Sequence, residues 1–336
     1  MRALEIARFG LDGLSVVERQ DAAPGPGQVR LSLRAASLNY RDLLMVEGKY
    51  NPRLTLPIVP GSDGVGIVEA VGQGVTRVAI GDRVSPVFSQ TWLDGAPARD
   101  KLRGSLGGPL DGTLRTHMVL SADGVVRVPA YLSDAEAATL PCAAVTAWNA
   151  LVGHAKVQPG DVVLVQGTGG VSLFALQIAR MCGARVIVTS SSDEKLERAR
   201  GLGAFAGINY QTTPEWGKAA RALCPEGVDV VIEVGGAGTL EQSIKATRVG
   251  GQIAIIGVLG GNRAPSLDLR PVLMQEIRLQ GVLVGSRATF EAMNRAFAEH
   301  EVHPVVDRVF PLTETRAALE HLRAGAHFGK IAIAIG

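Results

Sequence analysis

Hydrophobic and polar positions along the chain change period near residue 122. Before it, apolar residues alternate with polar ones over short runs, the pattern of half-buried strands. Such runs cover residues 2–9, 14–18, 29–36, 65–71, 83–88 and 113–120. Asp12-Gly13, Pro24-Gly25-Pro26-Gly27, Pro60-Gly61 and Gly81-Asp82 punctuate them as turns, and one helical stretch, 40–47, interrupts. Glycines crowd between Gly61 and Gly81, as expected of a strongly curved, barrel-like sheet. Residues 89–111 have no period and read as a long loop, of the kind that forms lids or partner surfaces.

From Ser133 onward helical and strand periods alternate. Ser133 to Glu136 reads as a capping box, Pro141 ends or kinks that helix, and 142–152 is helical again. Strands are expected at 162–166, 185–190, 207–210, 228–234, 252–259 and 279–284. Helices are expected between them at 171–182, 193–202, 214–223, after a Thr239 to Gln242 capping box, and at 270–276. Six strands joined by crossover helices predict an α/β fold, a doubly wound parallel sheet that binds ligands at the strands' carboxyl ends. Helices at 289–300 and 314–323 and strands at 305–310 and 330–335 remain, and the last strand is expected to rejoin the N-terminal sheet. The domains predicted are thus 1–122, 123–288, and a return at 289–336.

The first strand of that series ends in Gly167-Thr168-Gly169-Gly170-Val171-Ser172. A glycine turn between a buried strand and a helix N-terminus aims backbone N–H groups and the positive end of a dipole at its ligand, which suits a pyrophosphate. Gly167 permits the tight turn, Gly169 a close approach of diphosphate to backbone, and Ser172 replaces the third glycine of the dinucleotide fingerprint.

Composition removes several function classes. In 336 residues, 34 basic and 32 acidic side chains leave a net charge of +2 with no basic run, and aromatics are 4%. Neither nucleic acid nor an anionic membrane surface finds a footprint there. No apolar run approaches the length of a membrane span, and the first residues lack the apolar core of a signal peptide. Cys142, Cys182 and Cys224 are scattered, which fits a reducing cytoplasm and leaves no zinc lobe.

Several motifs, in order, resemble the medium-chain dehydrogenase/reductase family. They are Asn39-Tyr40-Arg41-Asp42 with Gly48, Pro60-Gly61-Ser62-Asp63-Gly64-Val65-Gly66-Ile67-Val68, Gly81-Asp82-Arg83-Val84, Leu140-Pro141-Cys142 with Thr146-Ala147-Trp148, the Gly167 turn, Glu233-Val234-Gly235-Gly236 and Gly329-Lys330. The resemblance implies a Rossmann sheet inserted into a GroES-like β-barrel catalytic domain, with nicotinamide in the cleft between them. Zinc alcohol dehydrogenases of the family carry a cysteine and a histidine where this chain has Asn39 and Ser62; only Cys142 remains at a third ligand position. Two neutral oxygens and a thiol make a poor zinc site, so no metal is expected. The chain is similar to the zinc-independent, quinone oxidoreductase-like branch.

By that resemblance Asn39, Tyr40, Arg41 and Thr146 approach the nicotinamide from one side and Val171 from the other. Leu283, Val284, Phe328, Gly329 and Lys330 close around it, and Gly167, Thr168, Gly169, Gly170, Gly235, Gly257 and Val258 line the rest of the dinucleotide. Val171, Leu283 and Val284 also read as plain core. Tyr50 is a candidate proton donor or merely an exposed loop aromatic; Asp42 orients a neighbour or caps its helix. Ser62 and Asp63 are expected to hydrogen-bond Asn39 or water. Cys142 is a thiol activated by a helix N-terminus or a small buried filler. The histidines read as strand or surface residues, with His327 near the proposed cofactor cleft.

At the end of the second Rossmann strand an NAD site wants an acidic residue. Here stand Ser190, Ser191 and Ser192 with Lys195 beyond, and Tyr210 at a further contact position, which suit the 2′-phosphate of NADPH. Asp193 and Glu194 compete: they either charge the helix start (Ser191 to Glu194 fits a capping box) or repel phosphate. The expected function is NADPH-dependent reduction of a small-molecule quinone or α,β-unsaturated carbonyl. An alcohol or aldehyde oxidoreductase is the alternative, and a crystallin-like or RNA-binding relative is the reading from another class. A homodimer is expected through pairing of residues 279–284.

Overall fold

A computed structural model describes residues 1–264 and 267–336. In chain order its strands are β1 (Arg2–Ile6), β2 (Leu14–Glu18), β3 (Gln28–Leu38), β4 (Asp63–Val71), β5 (Arg83–Pro86), β6 (His117–Ser121) and β7 (Val125–Arg127). Then come β8 (Val162–Gln166), β9 (Arg185–Ser190), β10 (Ala206–Asn209), β11 (Val228–Glu233), β12 (Thr247–Ile255) and β13 (Arg278–Gly281), and finally β14 (Val306–Pro311) and β15 (Lys330–Ala334). By packing the chain divides into two compact units, Met1–Val145 with Gly285–Gly336, and Thr146–Val284. The sequence put the first division at residue 122. Residues 123–145 instead pack with the first unit because Val125–Arg127 pairs with β5 and the Arg83 guanidinium holds the carbonyls of Pro129 and Leu132.

The first unit is built on a seven-stranded sheet of order β14-β15-β3-β4-β5-β7, with β6 also on β3, beside the β1-β2 hairpin. β3 is long, eleven residues, because Leu31, Leu33, Ala36 and Leu38 are buried while polar residues intervene. With Met118, Leu120, Val68 and Ile331 they form one core. Each of these leucine, valine, isoleucine and methionine side chains contributes about 1.5–3 kcal/mol when fully buried. As expected, the last strand returns: β15 pairs antiparallel to β3, setting Ile331 opposite Leu38. The 89–111 loop is tied down rather than loose. Ser89 and Thr91 donate to the Lys101 carbonyl, Lys101 Nζ donates to the carbonyls of Asp94 and Ala96, and Asp111 accepts from the Val59 amide.

The second unit is a parallel sheet of order β10-β9-β8-β11-β12-β13, the doubly wound arrangement. β8 is buried at every residue, as its unbroken apolar run predicts. The flanking helices seal the sheet with Trp216, Ala220, Ile244 and Ala246. Residues 140–155 wind irregularly, as a wide π-type turn from Leu140 to Ala144, one α turn, and a second π-type stretch from Asn149 to Ala155. No helix among the described residues is long and apolar enough to cross a membrane.

Three local expectations fail for identifiable reasons. Thr239 does not cap its helix, because its hydroxyl donates to the Glu233 carboxylate, while Gln242 accepts from the Gly217 amide. The helix over 193–201 is capped by Ser192, whose hydroxyl accepts from the Lys195 amide, one residue later than the Ser191 box. The helix expected from Pro214 begins at Trp216.

Candidate functional site

In the Thr146–Val284 unit the Gly-rich turn is built as its sequence demands. Gly167 has φ +72°, a conformation only glycine adopts without strain, and nothing crowds the place a Cβ would take. The helix Gly170–Met181 begins on Gly169 with no side-chain cap, whereas Ser133, Ser192 and Ser286 cap their helices with hydroxyls. Its opening N–H groups are therefore left for a ligand. Ser172 is buried, and its hydroxyl donates to the Gln166 carbonyl at 2.7 Å, stitching helix to strand where a glycine is usual. Thr168 is buried behind the turn, and Val171 is partly exposed at the helix start.

Beside this turn lies a knot that sequence reasoning missed. Glu233, at the end of β11, is fully buried, and both its oxygens are filled. Oε1 accepts from the amides of Gly235 and Gly236 at 2.8 and 2.9 Å and from Thr239 at 2.6 Å; Oε2 accepts from Gln166 at 2.7 Å and from Ser243 at 2.5 Å. Gln166 returns its Oε1 to the amides of Val234 and Gly235. The loop carrying Gly235 is thus fixed from beneath. Gly257 must lack a Cβ, since one would stand 2.6 Å from the Val234 carbonyl oxygen. Val258 and Leu283 are about half exposed, whereas Val284 is buried with φ +45°, a strained state for a β-branched residue, and the Asn149 amide donates to its carbonyl at 2.8 Å.

At the end of β9, Ser190 is buried and its hydroxyl accepts from the Ser192 amide, leaving Ser191 exposed and Lys195 partly exposed beyond it. Tyr210 is 40% exposed. Asp193 is engaged with the Asn209 side chain at 2.8 Å.

In the first unit, β3 ends at Leu38, and Asn39 stands as the N-cap of the helix Tyr40–Val46. Asp42 caps it, accepting from the Asn39 amide at 2.8 Å. The buried carboxyl of Asp42 lies above its ordinary pKa because burial outweighs the nearby Arg41 charge. Arg41 is only partly exposed, stacked 5.2 Å from the Tyr50 ring centre and 4.9 Å from that of Phe88, and donates to the Leu106 carbonyl at 3.0 Å. Tyr40 and Tyr50 are 40% and 48% exposed.

Lys330 is the centre of this region. Its side chain is 4% exposed, and its ammonium donates to the Leu38 carbonyl and Asn39 Oδ1, each at 2.6 Å, and to Asp63 Oδ2 at 3.4 Å. Three donors meet three acceptors, so the ammonium has none left for a cofactor. Ser37 donates to Asp63 Oδ2 at 3.3 Å, Asp63 Oδ1 has no hydrogen-bond partner among the described residues, and Asn39 Nδ2 points to Ser62 Oγ at 3.4 Å. Burial, aided by the negative Asp42, pushes the Asp63 carboxyl up to about 6, against the pull of Lys330 and Asn39. Cys142 is held well above the usual thiol range by burial, with Asp63 adding to it, so the reading of an activated thiol gives way to that of a filler. Phe328 is buried in the core and Gly329, at φ +93°, has no room for a Cβ; these two shape the entry to β15. His327 lies against His321, which pairs with Asp307, and Thr146 is buried.

A zinc ion fits these residues badly. Asn39 and Ser62 are neutral donors, and a cation already stands against Asn39, where a metal would want thiolate or imidazole.

Comparison with known proteins agrees with this architecture. Residues 25–130 match the alcohol dehydrogenase GroES-like domain and residues 170–299 the zinc-binding dehydrogenase domain. A zinc-type alcohol dehydrogenase-like protein of Schizosaccharomyces pombe is 46% identical over 92% of this chain and 91% of its own. The chain belongs to the medium-chain dehydrogenase/reductase family. Acryloyl-coenzyme A reductase of Metallosphaera sedula is 32% identical over 95% of this chain and 96% of its own. A solved structure named as an NAD-dependent alcohol dehydrogenase superposes with a TM-score of 0.91, at 36% identity and over the whole of both chains. This family member is accordingly an NAD(P)-dependent oxidoreductase, with a Rossmann-type parallel sheet and a GroES-like domain.

Proposed function

We propose that the chain is a cytoplasmic, homodimeric, NADPH-dependent reductase that acts without zinc on α,β-unsaturated carbonyls or quinones. The observation that carries the reading is the Lys330 ammonium against Asn39, beside residues that offer a metal only neutral oxygens and a thiol held protonated by burial. Without a Lewis acid, an isolated alcohol or aldehyde is poorly polarised. A conjugated acceptor spreads the arriving charge and needs only a hydrogen-bond donor. The relative named for acryloyl-coenzyme A reduction acts on a substrate of that class.

A bound nicotinamide cofactor supplies the hydride. The chain's part is to hold and to orient. The amides of Gly169 and Gly170 would hold the diphosphate, the loop at Gly235 with Gly257 and Val258 would line the cofactor, and Ser191 and Lys195 would receive the 2′-phosphate, with Ser190 and Tyr210 in support. By the family resemblance, Asn39 and Tyr50 would meet the reacting oxygen, and Tyr40, Thr146, Val171 and Leu283 would approach the nicotinamide. The edge strand β13 and the exposed Leu269, Leu273 and Met274 beside it in sequence support pairing of two copies.

The second reading, an alcohol or aldehyde oxidoreductase with bound zinc, is favoured by the names of two of the relatives for the alcohol and of one, the zinc-type protein, for the metal. Oxidation of NADPH by a panel of quinones, enones and aldehydes, with elemental analysis of the protein, separates the two. Turnover confined to aldehydes, with one zinc per chain lost together with activity on chelation, would reject the proposal. The cofactor choice has its own check. Losing a charge-assisted phosphate contact costs about 1.5–3 kcal/mol, so Lys195→Ala should weaken NADPH roughly 10- to 150-fold and leave NADH nearly unchanged. Equal losses for both cofactors would make Lys195 structural.

A further inference from the structure

The buried lysine at the start of β15 lies 291 residues from the asparagine it touches. Lysine carries donors only, so the Asn39 atom it meets must be the acceptor, Oδ1. The position of the ammonium is not adjustable: it is also fixed by the Leu38 carbonyl and Asp63. Asn39 is partly exposed and sits at the junction of β3 with the following helix, whose cap by Asp42 holds the Asn39 backbone as well. An amide free to flip would offer a ligand either oxygen or N–H. With Oδ1 turned inward against a buried charge, donors are all the amide can offer a ligand, and one N–H already points to the buried Ser62 Oγ at 3.4 Å, which leaves the second.

We propose that Lys330 is a positioning residue that acts through Asn39, locking its amide so that the protein offers a hydrogen-bond donor to the oxygen of a carbonyl or quinone substrate. The assignment rests on the reductase reading for the identity of that oxygen, but not for the lock itself. In this arrangement the fixed positive charge that metal-dependent enzymes place at substrate oxygen is moved one residue back. The ammonium polarises the amide by charge-assisted hydrogen bonding, and the amide makes the contact.

The test uses the full-length, 15N-labelled protein without cofactor, followed by kinetics. The Asn39 side-chain amide signals are identified by their loss in Asn39→Asp. In the pair variant Lys330→Met/Asp63→Asn, which removes both charges together and leaves no unpaired one buried, these signals should shift markedly. With NADPH and a small enone or quinone, the pair variant should lose about 10²-fold in kcat, the scale of one lost oxyanion donor. KM for NADPH should stay within about threefold. Asn39→Asp keeps an oxygen against Lys330 but removes the donor, so it should lose as much. Combining it with the pair should add nothing further, because both act through one amide. Unshifted amide signals in the pair variant, or losses that multiply, would overturn the assignment. Should the pair variant not fold, Asn39→Asp decides alone: a kcat within threefold of the parent protein rejects the donor. Shifted signals in a protein that turns over no quinone or unsaturated carbonyl would uphold the lock and reject the reductase reading.

Discussion

Each unit buries a carboxylate completely, and the two are treated in opposite ways. Glu233, under the loop of the dinucleotide-binding sheet, accepts five hydrogen bonds from amides, hydroxyls and a glutamine. Asp63, in the GroES-like unit, has a serine hydroxyl and a lysine at 3.3 and 3.4 Å on one oxygen and, among the described residues, no hydrogen bond on the other. The first is satisfied by neutral donors that belong to the fold, so its charge is a rivet. The second is under-solvated and keeps its charge chiefly because an ammonium stands nearby, which burial resists. A rivet suits a loop that must present backbone to a cofactor. An incompletely satisfied charge pair suits a place where a side chain must be held in one sense, at some expense in stability.

The largest expected effect follows from pulling the rivet. Glu233→Gln replaces one oxygen by an NH2 group, and in either orientation that group faces donors: Gln166 and Ser243 on one side, the Gly235 and Gly236 amides on the other. Leaving such buried groups opposed costs about 3 kcal/mol. The midpoint of urea unfolding should fall accordingly, and cofactor binding should weaken because the Gly235 loop loses its base. A variant with unchanged midpoint would show that the five contacts are not worth their number.

Asp63 should behave differently on both counts. Its folded pKa, raised to about 6 from an ordinary value near 3.8, means the folded protein binds more protons than the unfolded chain between those limits. Stability from this group is therefore complete below about pH 4, declines as pH rises to about 6, and is flat above. Asp63→Asn should remove that decline from the pH dependence of unfolding while changing stability at pH 7 by less than about 1.5 kcal/mol. A slope that persists in the variant would assign it to another group and make Asp63 a second rivet.

The contrast also explains what could be read from sequence. The glycine turn from Gly167 to Gly170 is local, and backbone geometry is written into the residue types at each position, so strand, turn and helix are all found where expected. The return of the last strand to β3 was legible from alternation and its place in the chain order. Glu233 stands in a motif that resembles the family's, yet its role depends on Gln166 and Ser243, 67 and 10 residues away. No pattern marks such partners. For the same reason Thr239 read as a helix cap: its hydroxyl suits a cap, and a buried carboxylate simply offered a better acceptor. Lys330 was placed beside the cofactor by resemblance; its burial beneath Asn39 is visible only once β15 pairs with β3. The π-type winding of residues 140–155 has no sequence signal beyond Pro141.

The smallest effect is expected at Tyr50, and it bears on where tunable chemistry lies in the GroES-like unit. The carboxyls of Asp42 and Asp63 are shifted by burial and by neighbouring charge, whereas the Tyr50 ring is about half exposed and rests on the Arg41 guanidinium. Arg41 in turn is held by Leu106 and Phe88, so the ring is oriented by a cation rather than by a base. Reduction of a conjugated acceptor leaves a stabilised enolate or hydroquinone anion that water can protonate. If Asn39 supplies the hydrogen bond that stabilises this anion, the later proton need not come from the protein. Tyr50→Phe should then lower kcat by less than about tenfold, within 1.4 kcal/mol, with the NADPH dissociation constant unchanged. General-acid removal typically lowers rates about 10²- to 10⁴-fold. A thousandfold loss in Tyr50→Phe, at unchanged melting temperature and cofactor affinity, would make the tyrosine the acid, with the exposed aromatic rather than the buried charge pair as the reactive side of this unit.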